Sequence, residues 1–490
     1  MLKAFYVRLY MEEGVHLSST NQPLYEALKR NISKNPMSFH VPGHKYGKVY
    51  GKESMVHFQS ILDIDATEVN GLDDLHAPEK AIREAQELAC HFFNCDHTFF
   101  LVNGTTVGNL AMILAVCRPG NQIIVQRNCH KSVLNGLELA GASPVFLSPR
   151  YEDETGRYSR VCVEDVEQVL KQYPESKAVF LTYPDYFGRV YNLEEVARVV
   201  HKYNIPLLVD EAHGVHFQLE GPFPKPALAA GADVVTQSAH KMAPAMTMAS
   251  YLHIQGERVD TNRIRHYLQM LQSSSPSYPL MASLDIARSY LSSWGTEDLN
   301  LLLPYINRVR EIFSSYRHRW EVKLTRGHDP LKLTLDVKKG TGFEVANIMD
   351  ESGVIPEMAT SSQVLLVLGL APSVNLEQLE FRLRTVDYQL KKVPDRATIR
   401  EDQIPFPTIQ QLELSYSDMQ GRNVEKVKWV EAEGRVAAEA LIPYPPGIPL
   451  VMKGERIGEK QIHNVQNLIK QGARFQNIDM KQGILVFKGE

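Results

Sequence analysis

Through the first three hundred residues, short and continuously apolar runs alternate with longer segments of helical periodicity. Runs at 99–103, 122–126, 144–148, 178–182, 206–210, 233–237 and 249–254 lack the polar alternation of a half-exposed sheet, so they read as strands buried on both faces. Between them, 107–117, 132–140, 164–172 and 193–203 repeat apolar residues at helical spacing. This alternation predicts an α/β fold, a mostly parallel sheet flanked by helices. From about 300 the rhythm changes. A helix near 300–320, a run from Leu331 to Val337, a helix from 343 and a run from Val364 to Leu370 predict a smaller α+β domain. Pro405-Phe406-Pro407 then marks a linker into a C-terminal segment. No internal repeat or low-complexity tract is present.

Composition narrows the classes. At 490 residues the chain exceeds one ordinary domain, and an apolar content of 44% supports a sizeable core. A net charge of −4 offers no basic footprint for nucleic acid or an anionic membrane surface. No stretch approaches the roughly 18 apolar residues of a membrane span. Met1 to Tyr10 is broken by Arg8 and followed by Glu12 and Glu13, so it reads as an extension ahead of Met11 rather than a secretion signal. The five cysteines, Cys90, Cys95, Cys117, Cys129 and Cys162, form no CxxC pair and are odd in number, which points to reduced thiols in the cytoplasm. No metal is expected: Pro42-Gly43 opposes the helix that would align His40 with His44, and His213 and His216 lack a third ligand.

The candidate chemistry lies at strand ends. Lys241, in Ser238-Ala239-His240-Lys241, follows one predicted strand, and Asp210 ends another. Pyridoxal 5′-phosphate (PLP) requires such a pair. The amine joins its aldehyde as a Schiff base, and the carboxylate keeps its ring nitrogen protonated, so that electrons leaving the substrate's α-carbon spread into the ring. Asn103-Gly104-Thr105-Thr106, between a strand and a helix, offers backbone N–H groups and two hydroxyls to the 5′-phosphate. His130, after the strand 122–126, is placed to lie over the ring. Singly, each is ordinary: a solvated lysine, a buried acid with a partner, a helix start, a loop histidine. Together they mark the carboxyl edge where open α/β sheets bind ligands.

Seven segments carry a family resemblance: Phe39-His40-Val41-Pro42-Gly43-His44-Lys45, Gly71-Leu72-Asp73-Asp74-Leu75-His76, Asn103-Gly104-Thr105-Thr106, Arg127-Asn128-Cys129-His130-Lys131-Ser132, Val209-Asp210-Glu211-Ala212-His213-Gly214, Ser238-Ala239-His240-Lys241 and Tyr444-Pro445-Pro446-Gly447-Ile448-Pro449. In this order, from about residue 22 to the end, they resemble the prokaryotic ornithine/lysine/arginine decarboxylases of PLP fold type I, above all the shorter Gram-positive arginine/lysine decarboxylase-like branch. The resemblance implies an N-terminal extension and partner-packing arm over 1–60 and an aspartate-aminotransferase-like large domain over 61–299. A small α+β domain over 300–403 and a C-terminal α+β decarboxylase domain over 404–490 would follow. It makes Lys241 the Schiff-base lysine, Asp210 the partner of the pyridine nitrogen and His130 the ring stacked on the cofactor. Thr105, Thr106, Ser238 and His240 would hold the phosphate, and His213 would line the pocket. Ser273 would reach the phosphate of the neighbouring subunit, in a homodimer or larger homo-oligomer. Two positions depart from the pattern: Val107 replaces a third hydroxyl, and Asp185 stands where Thr is more usual, adding negative charge near the pocket mouth.

The implied reaction is α-decarboxylation of a basic amino acid, L-arginine to agmatine or L-lysine to cadaverine with release of CO2, as in polyamine metabolism. A cationic side chain needs a carboxylate, for which Asp73, Asp74, Asp185, Glu357 and Glu439 are candidates. Glu439, ahead of the Pro443 to Pro449 turn, is preferred, since a Glu binds a guanidinium with two hydrogen bonds or an ammonium with one. For His130, holding the substrate carboxylate and delivering the proton stay open alternatives. Two other readings share the same core residues. A fold type I aminotransferase or C–S lyase would hold the α-carboxylate with Arg382 or Arg384, and a non-enzymatic PLP-binding regulator would be more credible without Lys241 or Asp210.

Overall fold

The computed structural model describes residues 19–323, 327–393, 406–443, 448–477 and 479–488. The main sheet begins with β1 (His97–Leu101), β2 (Gln122–Gln126) and β3 (Ser143–Leu147), after which β4 (Arg150–Glu152) and β5 (Arg157–Arg160) form a separate hairpin. It continues with β6 (Val179–Thr182), β7 (Leu207–Asp210), β8 (Val234–Gln237) and β9 (Ser250–Ile254). Strands β3, β2, β6, β7 and β8 are successive parallel neighbours, and β9 runs antiparallel to both β8 and β1. Strand β1 therefore points the same way as β8. The carboxyl ends of β1, β2, β7 and β8 share one edge.

Alternate side chains of each strand enter different cores, as the two-residue period requires. Leu101, Ile123 and Val125 pack with the helices Gly104–Val116, Lys131–Ala140 and Thr261–Leu271. Phe100, Ile124 and Val209 pack with Val163–Gln172, Leu193–His201 and Tyr278–Ser293 on the other face. Burial on both faces explains why these strands read as unbroken apolar runs.

The smaller domain orders β10 (Trp320–Lys323), β11 (Lys332–Val337), β13 (Gln363–Val367) and β12 (Met358–Ala359) as an antiparallel sheet. The chain after 404 does not start a separate unit at once. Its first strand, β14 (Ile409–Gln411), pairs with β3 and completes the main sheet, and a third core then forms around β15 (Val424–Val427), β16 (Ile484–Phe487) and the helix Glu459–Lys470.

The expected arm divides in two. The helix Pro23–Ser33 buries Leu24, Ala27 and Leu28 in this chain's own core, with the Leu24 N–H donating to Asp285 Oδ2 at 2.9 Å. By contrast Met37, Phe39, Val41, Val49, Val56 and Phe58 are exposed. Among the described residues no helix is long and apolar enough to cross a membrane.

Candidate active site

After β1 the chain turns at Gly104, whose φ of +70° suits a residue without Cβ, and the helix Gly104–Val116 starts with no side-chain cap. A Cβ on Gly108 would lie 2.3 Å from Thr236 Cγ2, so the glycine lets this helix lie against β8. That approach sets Thr105 Oγ1 3.2 Å from Ser238 Oγ, with Thr106 exposed on the same turn. His240, on the next turn, donates from Nδ1 to the Ala249 carbonyl at 3.1 Å, and burial lowers its titration. An uncapped helix start beside two hydroxyls fits the phosphate of PLP.

Asp210 closes β7 and is 3% exposed. Its Oδ2 accepts from Asn109 Nδ2 at 2.8 Å and its Oδ1 from the Ala212 N–H at 3.1 Å. Asn109 also donates to Ser132 Oγ at 2.9 Å and accepts from Thr236 Oγ1 at 3.1 Å. The Ser132 hydroxyl and N–H meet His130 Nδ1 at 2.9 and 3.3 Å. Because an N–H can only donate, Nδ1 is the acceptor and the ring proton is assigned to Nε2. Burial, ahead of the opposing pull of Asp210, lowers the titration of His130. Asn109 and Ser132 thus join two expected site residues although sequence reasoning gave neither a role. A lone Asn inside an apolar helix was the available signal.

Lys241 Nζ lies 3.1 Å from His213 Nε2, and His213 Nδ1 lies 3.0 Å from Lys332 Nζ. Tyr186 packs on His213 with ring centroids 4.3 Å apart and donates its hydroxyl to Glu357 Oε1 at 2.7 Å. Burial lowers the titration of Lys241 against the opposing effect of Asp210 and Glu357, and brings Lys332 down to about 8. Tyr186 and Lys332 were also missed. For Lys332 the signal was a lysine at the head of the buried strand Lys332–Val337. Beside the cluster opens a cavity of 610 Å³, lined in part by Asn128, Arg157, Phe187, Asp336 and Glu357.

Other expected residues lie elsewhere in the chain. Ser273 is exposed, its carbonyl accepting from His76 Nε2 at 2.9 Å and its Oγ from the Ser275 N–H at 3.1 Å. Among the described residues its hydrogen bonds do not join it to Lys241. Glu439 is held inside the C-terminal domain, Oε1 by the Leu485 N–H at 2.9 Å and Oε2 by Asn477 Nδ2 at 2.8 Å. Tyr444 to Gly447 of the adjoining turn lie outside the described residues. Asp73 accepts from the backbone before and at the start of the helix Ala81–Phe93, Asp74 from the His76 N–H, and Asp185 from the N–H groups of Phe187 and Arg189. Of the five candidate carboxylates, Glu357 is the one hydrogen-bonded to the Lys241 cluster, through Tyr186, while the charge of Asp185 also favours the Lys332 cation. Arg382 and Arg384 are exposed on the helix Leu376–Leu390, where Arg382 donates to the Ser352 carbonyl.

Residues 22–328 match the Orn/Lys/Arg decarboxylase major domain and residues 403–477 its C-terminal domain. The chain is 43% identical to the uncharacterized protein YaaO of Bacillus subtilis, over 94% of this chain and 97% of that protein. It is 35% identical to the arginine decarboxylase of the same organism, over 91% and 93%. Among solved structures, the lysine decarboxylase LdcF of Francisella novicida superposes with a TM-score of 0.79 at 20% identity, covering 95% of this chain and 81% of that one.

Proposed function

Because this chain belongs to the Orn/Lys/Arg decarboxylase family and is a PLP-dependent amino acid decarboxylase of fold type I, we propose L-arginine as its substrate, converted to agmatine and CO2, ahead of L-lysine. The observation that carries the reading is Glu357, a carboxylate at the cavity wall that shares Tyr186 with the Lys241 and Lys332 cluster. With Oε1 accepting from Tyr186, the carboxylate still has lone pairs for a guanidinium or an ammonium. Glu357 therefore replaces Glu439 as the preferred reader of the substrate's cation. Arginine is put first because several Bacillus relatives at 31–35% identity over about nine-tenths of this chain are named arginine decarboxylases.

PLP, when bound, supplies the electron sink for the bond to the departing carboxylate. Lys241 provides the amine that holds the cofactor, and its depressed titration makes the neutral form accessible. Asp210, fixed by Asn109 and the Ala212 N–H, is the anion for the pyridine nitrogen. Thr105, Thr106, Ser238 and His240 serve the phosphate, and His130, with its proton on Nε2, has one to deliver. Exposed Phe39, Val41 and Phe58 favour a partner subunit, to whose site Ser273 would contribute in a cytoplasmic homodimer. The aminotransferase reading loses its carboxylate-binding arginines to solvent.

Glu357→Gln should lower kcat/KM for arginine by about 30-fold, the equivalent of about 2 kcal/mol for a lost charged partner. PLP content should not change, and Glu439→Gln should have little effect. CO2 release from arginine, lysine and ornithine, measured in parallel, tests the substrate. Faster decarboxylation of neutral or acidic amino acids would overturn it.

A further inference from the structure

Two lysines meet one imidazole. Lys332, on β11 of the small domain, is 6% exposed, as is His213. Its Nζ lies 3.0 Å from His213 Nδ1, while Lys241 Nζ lies 3.1 Å from Nε2 on the far side of the ring. A neutral imidazole carries one N–H and one lone pair. Two ammonium groups cannot both donate to it, so the lysine that accepts the imidazole N–H must be a free amine, while the other can donate as an ammonium. His213 itself stays neutral, since burial, followed by the adjacent Lys241 and Lys332, holds its titration well below the ordinary value.

We infer that Lys332 and His213 form a proton relay for Lys241, in which Lys332 stores the proton that Lys241 must shed to act as a nucleophile. In one arrangement the Lys241 ammonium donates to Nε2, and the Nδ1–H donates to the Lys332 amine. Transfer moves a proton from Lys241 Nζ to Nε2 while the Nδ1 proton passes to Lys332 Nζ. The result is a free Lys241 amine and a Lys332 ammonium. The number of protons is unchanged, and no water has to enter.

The surrounding charges permit both states. Asp210 and Glu357 favour the Lys241 cation; Asp329, Glu357 and Asp185 favour that of Lys332. His216 and His240 add to the depression of His213, and Lys241 to that of His130. The titration of Lys332 near 8 puts proton exchange within the neutral range.

The inference rests on Lys241 as the PLP lysine, and the test separates the two. Apoprotein is mixed with PLP from pH 6 to 9.5, and the rate of covalent attachment is followed by absorbance. With Lys332→Met, Lys241 keeps its proton, so attachment at pH 7 should slow by about tenfold and converge on the wild-type rate near pH 9.5, a rise of about one unit in the apparent pKa. Lys332→Arg, which cannot give up a proton, should hold Lys241 as the free amine and move the profile to lower pH. His213→Phe breaks the path at its middle and should reproduce the Met profile, which covers a Met variant that fails to fold. Profiles superimposable on wild type, or slowed equally at every pH, overturn the relay. Covalent attachment persisting in Lys241→Ala overturns the underlying reading instead.

Discussion

Arg127 and Lys241 both follow the carboxyl ends of parallel strands, yet the protein treats their charges in opposite ways. Arg127, 4% exposed, reaches both oxygens of Glu455 at 2.9 and 2.8 Å and donates to the Pro449 and Leu450 carbonyls. Phe406 lies 3.9 Å from its guanidinium. Glu455 in turn accepts from Gln410, Gln461 and the Met452 N–H. Cation and carboxylate are matched on both oxygens, and the pair ties the C-terminal domain to the main sheet. Lys241 and Lys332 have no carboxylate within ion-pair distance among the described residues and share an imidazole instead. A charge that fastens domains is neutralised by a direct partner, whereas one that must change its protonation is left short of a counter-ion. Burial then lowers its titration.

The comparison breaks most plainly at Lys241. Lys241→Ala should abolish borohydride-fixable PLP and cut turnover by at least about three orders of magnitude while the fold persists, because a short apolar side chain leaves no charge behind. On the other side, Arg127→Met strands Glu455 as a buried unpaired anion and should cost about 3 to 5 kcal/mol in denaturant unfolding. The double variant Arg127→Met/Glu455→Met should recover most of that loss. If the single variant unfolds like wild type, the fastening role is wrong. Asp210→Ala should retain part of the PLP and lose about a hundredfold in turnover, since the ring nitrogen loses the anion that keeps it protonated. Near-normal turnover would show that another carboxylate serves.

A buried acid with no counter-ion among the described residues sharpens the contrast. Glu211 is held by the Ala227 N–H at 2.8 Å and Gln237 Nε2 at 2.7 Å, and burial pushes its titration up to about 8. The folded state keeps a proton that the unfolded chain releases near 4.5. Its contribution is therefore complete below about 4.5 and is lost as pH rises through about 8. Urea unfolding at pH 5.5, 7 and 8.5 should show wild type losing stability relative to Glu211→Gln, by at most about 1.4 kcal/mol per pH unit. A pH-independent difference would mean Glu211 is ionised throughout.

The doubly buried strands could be read from the chain because a short, unbroken apolar run bounded by turn residues suits little besides a strand covered on both faces. The run predicted at 122–126 is β2 residue for residue. The helix expected from 107 starts at Gly104, since Gly104-Thr105-Thr106 are weak helix formers whose first turn is fixed by neighbours rather than propensity. Strand β14 escaped notice because three edge residues give no periodic signal. Lys241, Asp210 and Thr105 stand out in the sequence by their places after or at the ends of strands, and Ser238 through the family resemblance. Asn109, Ser132, Tyr186 and Lys332 are joined to the site by contacts across the fold, which local pattern does not encode. Glu439 was favoured for its place beside a proline-rich turn, and Glu357 is favoured by its place in space.

The three residues of β14 also act as a shield. Ile409, Gln410 and Gln411 lie against Leu147, Phe146 and Val145 and occupy the hydrogen-bonding side of β3. A fragment ending near residue 403 would present these apolar residues as an open sheet edge, a template for strand addition between molecules. The segment that carries β14 thus covers an edge of the main sheet that would otherwise be open to self-association.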